Sequence, residues 1–241
     1  MAGLFHRKKD NQFPFCSVVV AAAGSSTRME GQDKMLSLLD GVPVLARTLL
    51  VLEQCPLVNE LVIVTREDLI PLAGQLCRDF GISKAAKVVA GGESRTQSVL
   101  RGVNECSPNT ELIAIHDGAR PLVTPEELEE VLRKGAETGA AAPAVPVKDT
   151  IKQAEGGLVT GTPERSKLFA IQTPQVFEAS LIRAALTKAE AEKLSLTDDC
   201  AAVERLGMKV TLTRGTYENI KITTPVDLAL GEAILNWREQ A

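Results

Sequence analysis

The chain is poor in the residues and motifs that mark the commoner nucleotide and metal chemistries. Only 3% of its 241 residues are aromatic, which leaves little for base-stacking platforms. The net charge of −4 argues against an extended nucleic-acid footprint, because phosphate backbones recruit basic faces. No G-x-x-x-x-G-K-[ST] occurs, so a P-loop kinase or NTPase loses its main support, and without G-x-G-x-x-G dinucleotide binding is weakly supported. The five cysteines (Cys16, Cys55, Cys77, Cys106, Cys200) never form a C-x-x-C pair. Their odd number and scatter argue against a disulfide framework or a structural zinc, and fit a reducing cytoplasm. No stretch approaches the roughly 18 apolar residues of a membrane span, and the polar, basic start from Met1 to Pro14 has no apolar signal core. We therefore expect a cytoplasmic protein, without nucleic-acid or membrane partners, whose residues 1–15 are frayed.

What is present is enough for a core: apolar residues make up 44% of the chain and charged residues 24%. The run 17–23 (SVVVAAA) is continuously apolar and ends at Gly24, the pattern of a parallel strand buried on both faces. Similar runs recur at 61–65, 86–90, 112–116, 140–145 and 208–213. Helix-like stretches lie between them at 42–54, 68–80, 95–104 and 125–138. This alternation predicts an α/β fold with a mostly parallel, doubly wound sheet, and residues 16–241 read as one unit. Thr124-Pro125-Glu126-Glu127 and Thr224-Pro225-Val226-Asp227 read as helix starts. Residues 146–167 break the alternation, with short β-like pieces around Gly156-Gly157 that predict a projecting two-stranded ribbon. A lone ribbon is marginal in water, so this arm is expected to pack on something, such as a second copy of the chain.

Ligands of open α/β sheets bind beyond the carboxyl ends of the strands, and four polar clusters fall there. The first, Gly24-Ser25-Ser26-Thr27-Arg28-Met29 leading to Lys34, can cradle a phosphate with backbone N–H groups and two cations. It also fits an ordinary strand-to-helix turn. The second, Gly91-Gly92-Glu93-Ser94-Arg95-Thr96-Gln97-Ser98, admits a base or ribose close to the backbone, or is simply a turn and a cap. In the third, His116-Asp117-Gly118-Ala119-Arg120-Pro121, Asp117 sits at a strand tip suited to Mg²⁺. Arg120 there binds phosphate or pairs with the Asp, and His116 reads as structural. The fourth, Glu218-Asn219-Ile220-Lys221, offers a lysine from the opposite side of the cleft.

In this order the clusters resemble the 2-C-methyl-D-erythritol 4-phosphate cytidylyltransferase family, with His116-Asp117-Gly118-Ala119-Arg120-Pro121 close to its H-D-x-A-R-P signature. Val147-Lys148-Asp149-Thr150, Thr173-Pro174-Gln175, Thr197-Asp198-Asp199 and Asn219-Ile220-Lys221 follow in the family's order, so the resemblance runs from about Cys16 to the last helix. Departures are few. Ser26 stands where the family often has a second glycine, Asp33 where it often has proline, Glu93 where it often has Asp, and Asp199 where it often has Glu. The resemblance implies a Rossmann-like nucleotidyltransferase that uses CTP with Mg²⁺ or another divalent cation, and a homodimer with interlocking β-arms. It assigns Arg28, Lys34 and Lys221 to catalysis, and Ala22, Ala23, Gly24, Gly92, Arg95 and Ser98 to the nucleotide. It assigns Arg120, Thr150 and Arg165 to the polyol phosphate and Asp117 to the metal, with Thr150 and Arg165 arriving from the partner's arm.

The implied reaction is attack by a substrate phosphate oxygen on the α-phosphorus of CTP. That oxygen is ionised at neutral pH, so no general base is needed and the scarcity of histidine is no obstacle. Alignment and charge cancellation are the requirements. Glu218 is a weaker candidate for a second metal contact. The nearest alternative is a ribitol-5-phosphate cytidylyltransferase. A glycosyltransferase is disfavoured by the absence of any D-x-D triplet, and a non-catalytic module by the presence of Arg28, Lys34, Asp117 and Lys221 together.

Overall fold

A computed structural model describes residues 13–24 and 33–240. Most of the expected frayed start, and Arg28 with its neighbours 25–32, lie outside these described residues. The apolar runs form one eight-stranded sheet. Its strands are ordered Ala85–Ala90, Glu60–Thr65, Cys16–Ala21, Leu112–Asp117, Gln175–Glu178, Ala140–Pro146 and Thr211–Arg214. Phe169–Ile171 pairs with the far end of Ala140–Pro146. Cys16–Ala21 is parallel to both neighbours, as are Glu60–Thr65 with Ala85–Ala90 and Thr211–Arg214 with Ala140–Pro146. Gln175–Glu178 alone of the four-residue or longer strands in this sheet runs against its neighbours. The doubly wound, mostly parallel architecture expected from the sequence is the one found.

Successive residues of the central strands feed two cores, as the two-residue strand period requires. Val18, Val20, Leu61, Ile63, Leu112 and Ala114 pack on one face, with Leu45, Leu49 and Leu52 of helix Val44–Gln54 and Leu128 and Leu132 of helix Pro125–Thr138. Val19, Val62, Val64, Ile113 and Ile115 pack on the other, with Val99 and Val103 of helix Arg95–Glu105 and Ile182 and Leu186 of helix Ala179–Ala191. Each such fully buried aliphatic side chain contributes about 1.5–3 kcal/mol relative to exposure. Burial on both faces makes the middles of these strands apolar, with polar residues such as Ser17, Glu60, Thr65 and Asp117 confined to their ends, which is why they were legible.

The helix start at Thr124 is a full capping box: Glu127 N donates to Thr124 Oγ1 (3.2 Å) and Thr124 N to Glu127 Oε2 (3.0 Å). At the last helix, Pro125's counterpart Pro225 follows Thr224, and Asp227 Oδ2 accepts from the backbone N–H and hydroxyl groups of both Thr223 and Thr224. Within 146–167, Gln153–Glu155 and Leu158–Gly161 form a separate two-stranded hairpin. Its turn, Gly156-Gly157, takes φ of 56° and 81°, a conformation that glycine adopts without a Cβ clash and that matches hairpin twist. Leu158 and Val159 are 74% and 63% exposed. At the arm's base, Tyr217 donates to Pro146 O (2.7 Å) and lies under Lys148 Nζ, 3.3 Å from the ring centre.

Candidate active site

The parallel strands deliver Ala21, Thr65, Ala90 and Asp117 to one rim of the sheet, and the antiparallel strand enters at that rim with Thr173 and Gln175. Asp117 is buried at the tip of the central strand, and its Oδ2 meets Lys221 Nζ at 2.8 Å and Arg120 Nε at 3.4 Å. Burial pushes its carboxyl up, but Lys221, Arg95 and Arg120 outweigh that and hold it at about 2. The carboxylate is thus ionised and fixed, facing two cations. Arg120 also donates through Nη1 to Asn219 O (2.7 Å), which ties the third cluster to the fourth.

His116 is fully buried, and burial lowers its imidazole to about 4. Nε2 lies 3.2 Å from Arg120 O and Nδ1 lies 3.0 Å from Thr173 Oγ1. A carbonyl only accepts, so the network assigns the proton to Nε2 and leaves Nδ1 to accept from the threonine. His116 is structural here. Glu218 pairs with Arg238 of the last helix (2.9 Å).

The second cluster closes on itself. Ser98 Oγ accepts from Gly92 N (2.9 Å) and donates to Ser94 O (2.8 Å), while Arg101 Nη1 donates to Gly91 O (2.6 Å). A Cβ on Gly91 would lie 2.5 Å from Ala23 Cβ, so this glycine allows the first and second loops to touch. A Cβ on Gly92 would lie 2.5 Å from Gln97 Cβ. Arg95 is engaged in a bidentate pair with Asp199, Nη1–Oδ1 2.9 Å and Nη2–Oδ2 2.6 Å. Burial opposes its charge, but Asp199 outweighs it and raises the guanidinium above its ordinary value.

On the first loop, Ala22 N donates to Val64 O (2.7 Å), and a Cβ on Gly24 would lie 3.7 Å from Lys34 Nζ. Lys34 therefore stands beside the glycine at the strand tip. The structure brings Ala22, Ala23, Gly24, Lys34, Gly92, Arg95, Ser98, Asp117, Arg120 and Lys221 to this rim. Thr150 and Arg165 are exposed on the arm, where Arg165 Nη1 donates to Lys148 O (2.9 Å). A groove of about 440 Å³ lined by Cys77, Arg78, Ser83 and Lys87 sits at the amino end of the edge strand Ala85–Ala90, on the opposite rim from Asp117.

A sheet of this order, with an acid and two cations at its central strand tip, invites comparison with known nucleotidyltransferases. The sequence profile of 2-C-methyl-D-erythritol 4-phosphate cytidylyltransferase (IspD) matches residues 16–237. The chain belongs to this family. A 2-C-methyl-D-erythritol 4-phosphate cytidylyltransferase of Halalkalibacterium halodurans is 47% identical over 225 residues, 93% of this chain and 98% of its own. One from Geobacter metallireducens is 44% identical over 222 residues, 90% and 96% of the two chains. The crystal structure of 4-diphosphocytidyl-2C-methyl-D-erythritol synthase from Anaerococcus prevotii matches at a TM-score of 0.82 and 29% identity, covering 92% of this chain and 96% of that one. The Thermus thermophilus cytidylyltransferase matches at 0.76 and 31%, covering 91% and 98%. This family member is accordingly a nucleotidyltransferase with a Rossmann-like fold.

Proposed function

We propose that the chain transfers the cytidylyl group of CTP to 2-C-methyl-D-erythritol 4-phosphate, giving 4-diphosphocytidyl-2-C-methyl-D-erythritol and pyrophosphate, a step of non-mevalonate isoprenoid biosynthesis. The observation that carries this reading is the ionised Asp117 with Lys221 and Arg120 on the rim beside Gly24 and Lys34, in a chain of this family. A phosphate oxygen of the substrate forms the new bond to the α-phosphorus as the bond to the pyrophosphate oxygen breaks. Two anions meet, and charge grows on the leaving group. Lys221, with Arg120 behind it, supports the substrate phosphate, and Lys34 with Arg28 supports the triphosphate. Gly92, Arg95 and Ser98, with the backbone of Ala22 and Ala23 beside them, would line the nucleoside side. Nothing in the relatives described above favours ribitol 5-phosphate.

The donor set fits a divalent cation only in company. Among the described residues no group of three His, Cys, Asp or Glu side chains is placed to hold a metal. Mg²⁺ commonly takes one or two carboxylates and fills its shell with phosphate oxygens and water. Asp117 would hold it together with the triphosphate, and the ion would neutralise charge on the phosphates.

The homodimer belongs to the same proposal. An exposed hairpin carrying Leu158 and Val159 is marginal alone, and Thr150 and Arg165 on this arm would reach the polyol phosphate in a neighbour. Light scattering that showed an active monomer would defeat the dimer. A cytoplasmic location is supported by five buried, unpaired cysteines, and among the described residues no helix is long and apolar enough to cross a membrane. The test of the reaction is mass spectrometry of the product from CTP, Mg²⁺ and 2-C-methyl-D-erythritol 4-phosphate. A mass for the cytidine diphosphate ester is expected, and unreacted substrate after prolonged incubation counts against the proposal.

A further inference from the structure

Two motifs of the sequence, Thr173-Pro174-Gln175 and Thr197-Asp198-Asp199, have no part in the chemistry described so far. Both lie where the antiparallel strand enters the rim, and their contacts reach the two halves of the site separately. Thr173 is buried, and its Oγ1 accepts from Asp117 N (3.0 Å) and donates to His116 Nδ1 (3.0 Å). Its carbonyl accepts from Asn219 Nδ2 (3.1 Å), and Asn219 O in turn accepts from Arg120 Nη1. One residue thus fixes the backbone of Asp117, the ring whose Nε2 anchors Arg120 O, and the turn that leads to Lys221.

Gln175 is equally buried, and its contacts run the other way. Oε1 accepts from Asp199 N and Cys200 N, both at 3.0 Å, and Nε2 donates to Asp198 Oδ2 at 3.0 Å. These bonds seat the start of helix Asp199–Glu204, where the Asp199 carboxylate grips Arg95. Asp199 is almost wholly buried and Arg95 about a third exposed, so the carboxylate is the fixed partner and the guanidinium the aimed one.

We propose that Thr173 and Gln175 are positioning residues that set the two poles of the site from the start of strand Gln175–Glu178 and the connection just before it. Thr173 places the Asp117–Arg120–Lys221 cluster that supports transfer. Gln175, through Asp199, places Arg95 on the nucleoside side. The inference rests on the proposed cytidylyl transfer, and it makes the two residues separable in kinetics. Supporting-layer groups of this kind are worth about 10–100-fold.

The test compares Thr173→Val, Thr173→Ser and Gln175→Met in steady-state pyrophosphate release, with thermal melts alongside. Valine keeps the shape and loses both hydrogen bonds; serine keeps them. We expect T173V to lower kcat by about 10–100-fold with the CTP KM within about threefold, and T173S to return kcat to within about threefold of the parent. Q175M is expected to raise the CTP KM about tenfold with kcat within about threefold. Equal loss in T173S and T173V, or a kcat effect without a KM effect in Q175M, overturns the assignment. Should Q175M fail to fold, Asp199→Asn reads the same contact by calorimetric CTP affinity, where unchanged binding overturns it and about tenfold weaker binding supports it. An inactive parent protein would sink the reaction, while the calorimetric comparison would still decide the placement of Arg95.

Discussion

Replacing Lys221 by Met removes the closest cation from Asp117 while keeping most of the side chain's bulk. Asp117 is held at about 2 against an ordinary 3.8; burial pushes it up, and Lys221, Arg95 and Arg120 together more than reverse this. The whole depression corresponds to about 2–3 kcal/mol of stability at neutral pH. Lys221 is the largest of the three opposing influences, but its side chain is 37% exposed and solvent screens it, so its loss is expected to cost only about 1 kcal/mol. That is a Tm shift of about 2–4 °C for a chain of this size. The sign follows from the depressed carboxylate: its contribution is full above the unfolded value and is lost as pH falls through the folded one. The stability gap between K221M and the parent should therefore be constant near neutrality and close between about pH 4 and pH 2. The rate is expected to behave differently. Loss of a preorganised charge at the reacting phosphates should cut kcat at least about 100-fold, measured by pyrophosphate release at saturating CTP and acceptor. A kcat within about threefold of the parent, in a variant with the predicted small Tm shift, would refute the role given to Lys221.

Lys34→Ala is expected to lower kcat at least about 100-fold in the same assay; a near-normal rate would remove Lys34 from the reaction. Gly91→Ala should destabilise by about 1–3 kcal/mol in denaturant titration, because its Cβ would meet Ala23 Cβ at 2.5 Å and Ser98 Oγ at 2.9 Å, neither free to move far. An unchanged midpoint would show that the two loops do not touch as described. Asp227→Ala should cost about 1 kcal/mol at pH 7 through loss of four bonds to Oδ2. Burial raises the Asp227 carboxyl, but the bonds from Thr223 and Thr224 outweigh it and lower it below 3.8. Its contribution is present above that value and lost below it, so the gap should vanish in acid. A gap that persists at pH 2 would point to packing instead.

Strands buried on both faces were legible because the sequence pattern there needs no context. The run 112–116 became strand Leu112–Asp117, and 61–65 became Glu60–Thr65. The stretch 125–138 was legible to the residue, since Thr124, Pro125 and Glu127 mark its start and Gly139, at φ 82°, its end. The strand expected at 208–213 lies at Thr211–Arg214, displaced because 207–210 is a turn and a connection after Gly207. The antiparallel pieces Phe169–Ile171 and Gln175–Glu178 were missed, because Pro174 interrupts a short run and proline cannot donate to a ladder. Helix Asp199–Glu204 escaped because six residues give too short a period to read. In the site, Asp117 was legible as a polar residue at a strand tip, and Arg120 and Lys221 as cations in the connections beyond strands. The engagement of Arg95 by Asp199 was not, since it joins residues more than one hundred positions apart. The pairing of Glu218 with Arg238 was hidden for the same kind of reason: sequence shows a carboxylate near the site but not the cation that occupies it.

The central claim is the acceptor, and pyrophosphate release with CTP and Mg²⁺ tests it most directly, with 2-C-methyl-D-erythritol 4-phosphate and ribitol 5-phosphate compared at equal concentration. The account predicts release with the first and little or none with the second. Release only with ribitol 5-phosphate would keep the transfer chemistry around Asp117 and Lys221 and contradict the substrate assigned to it.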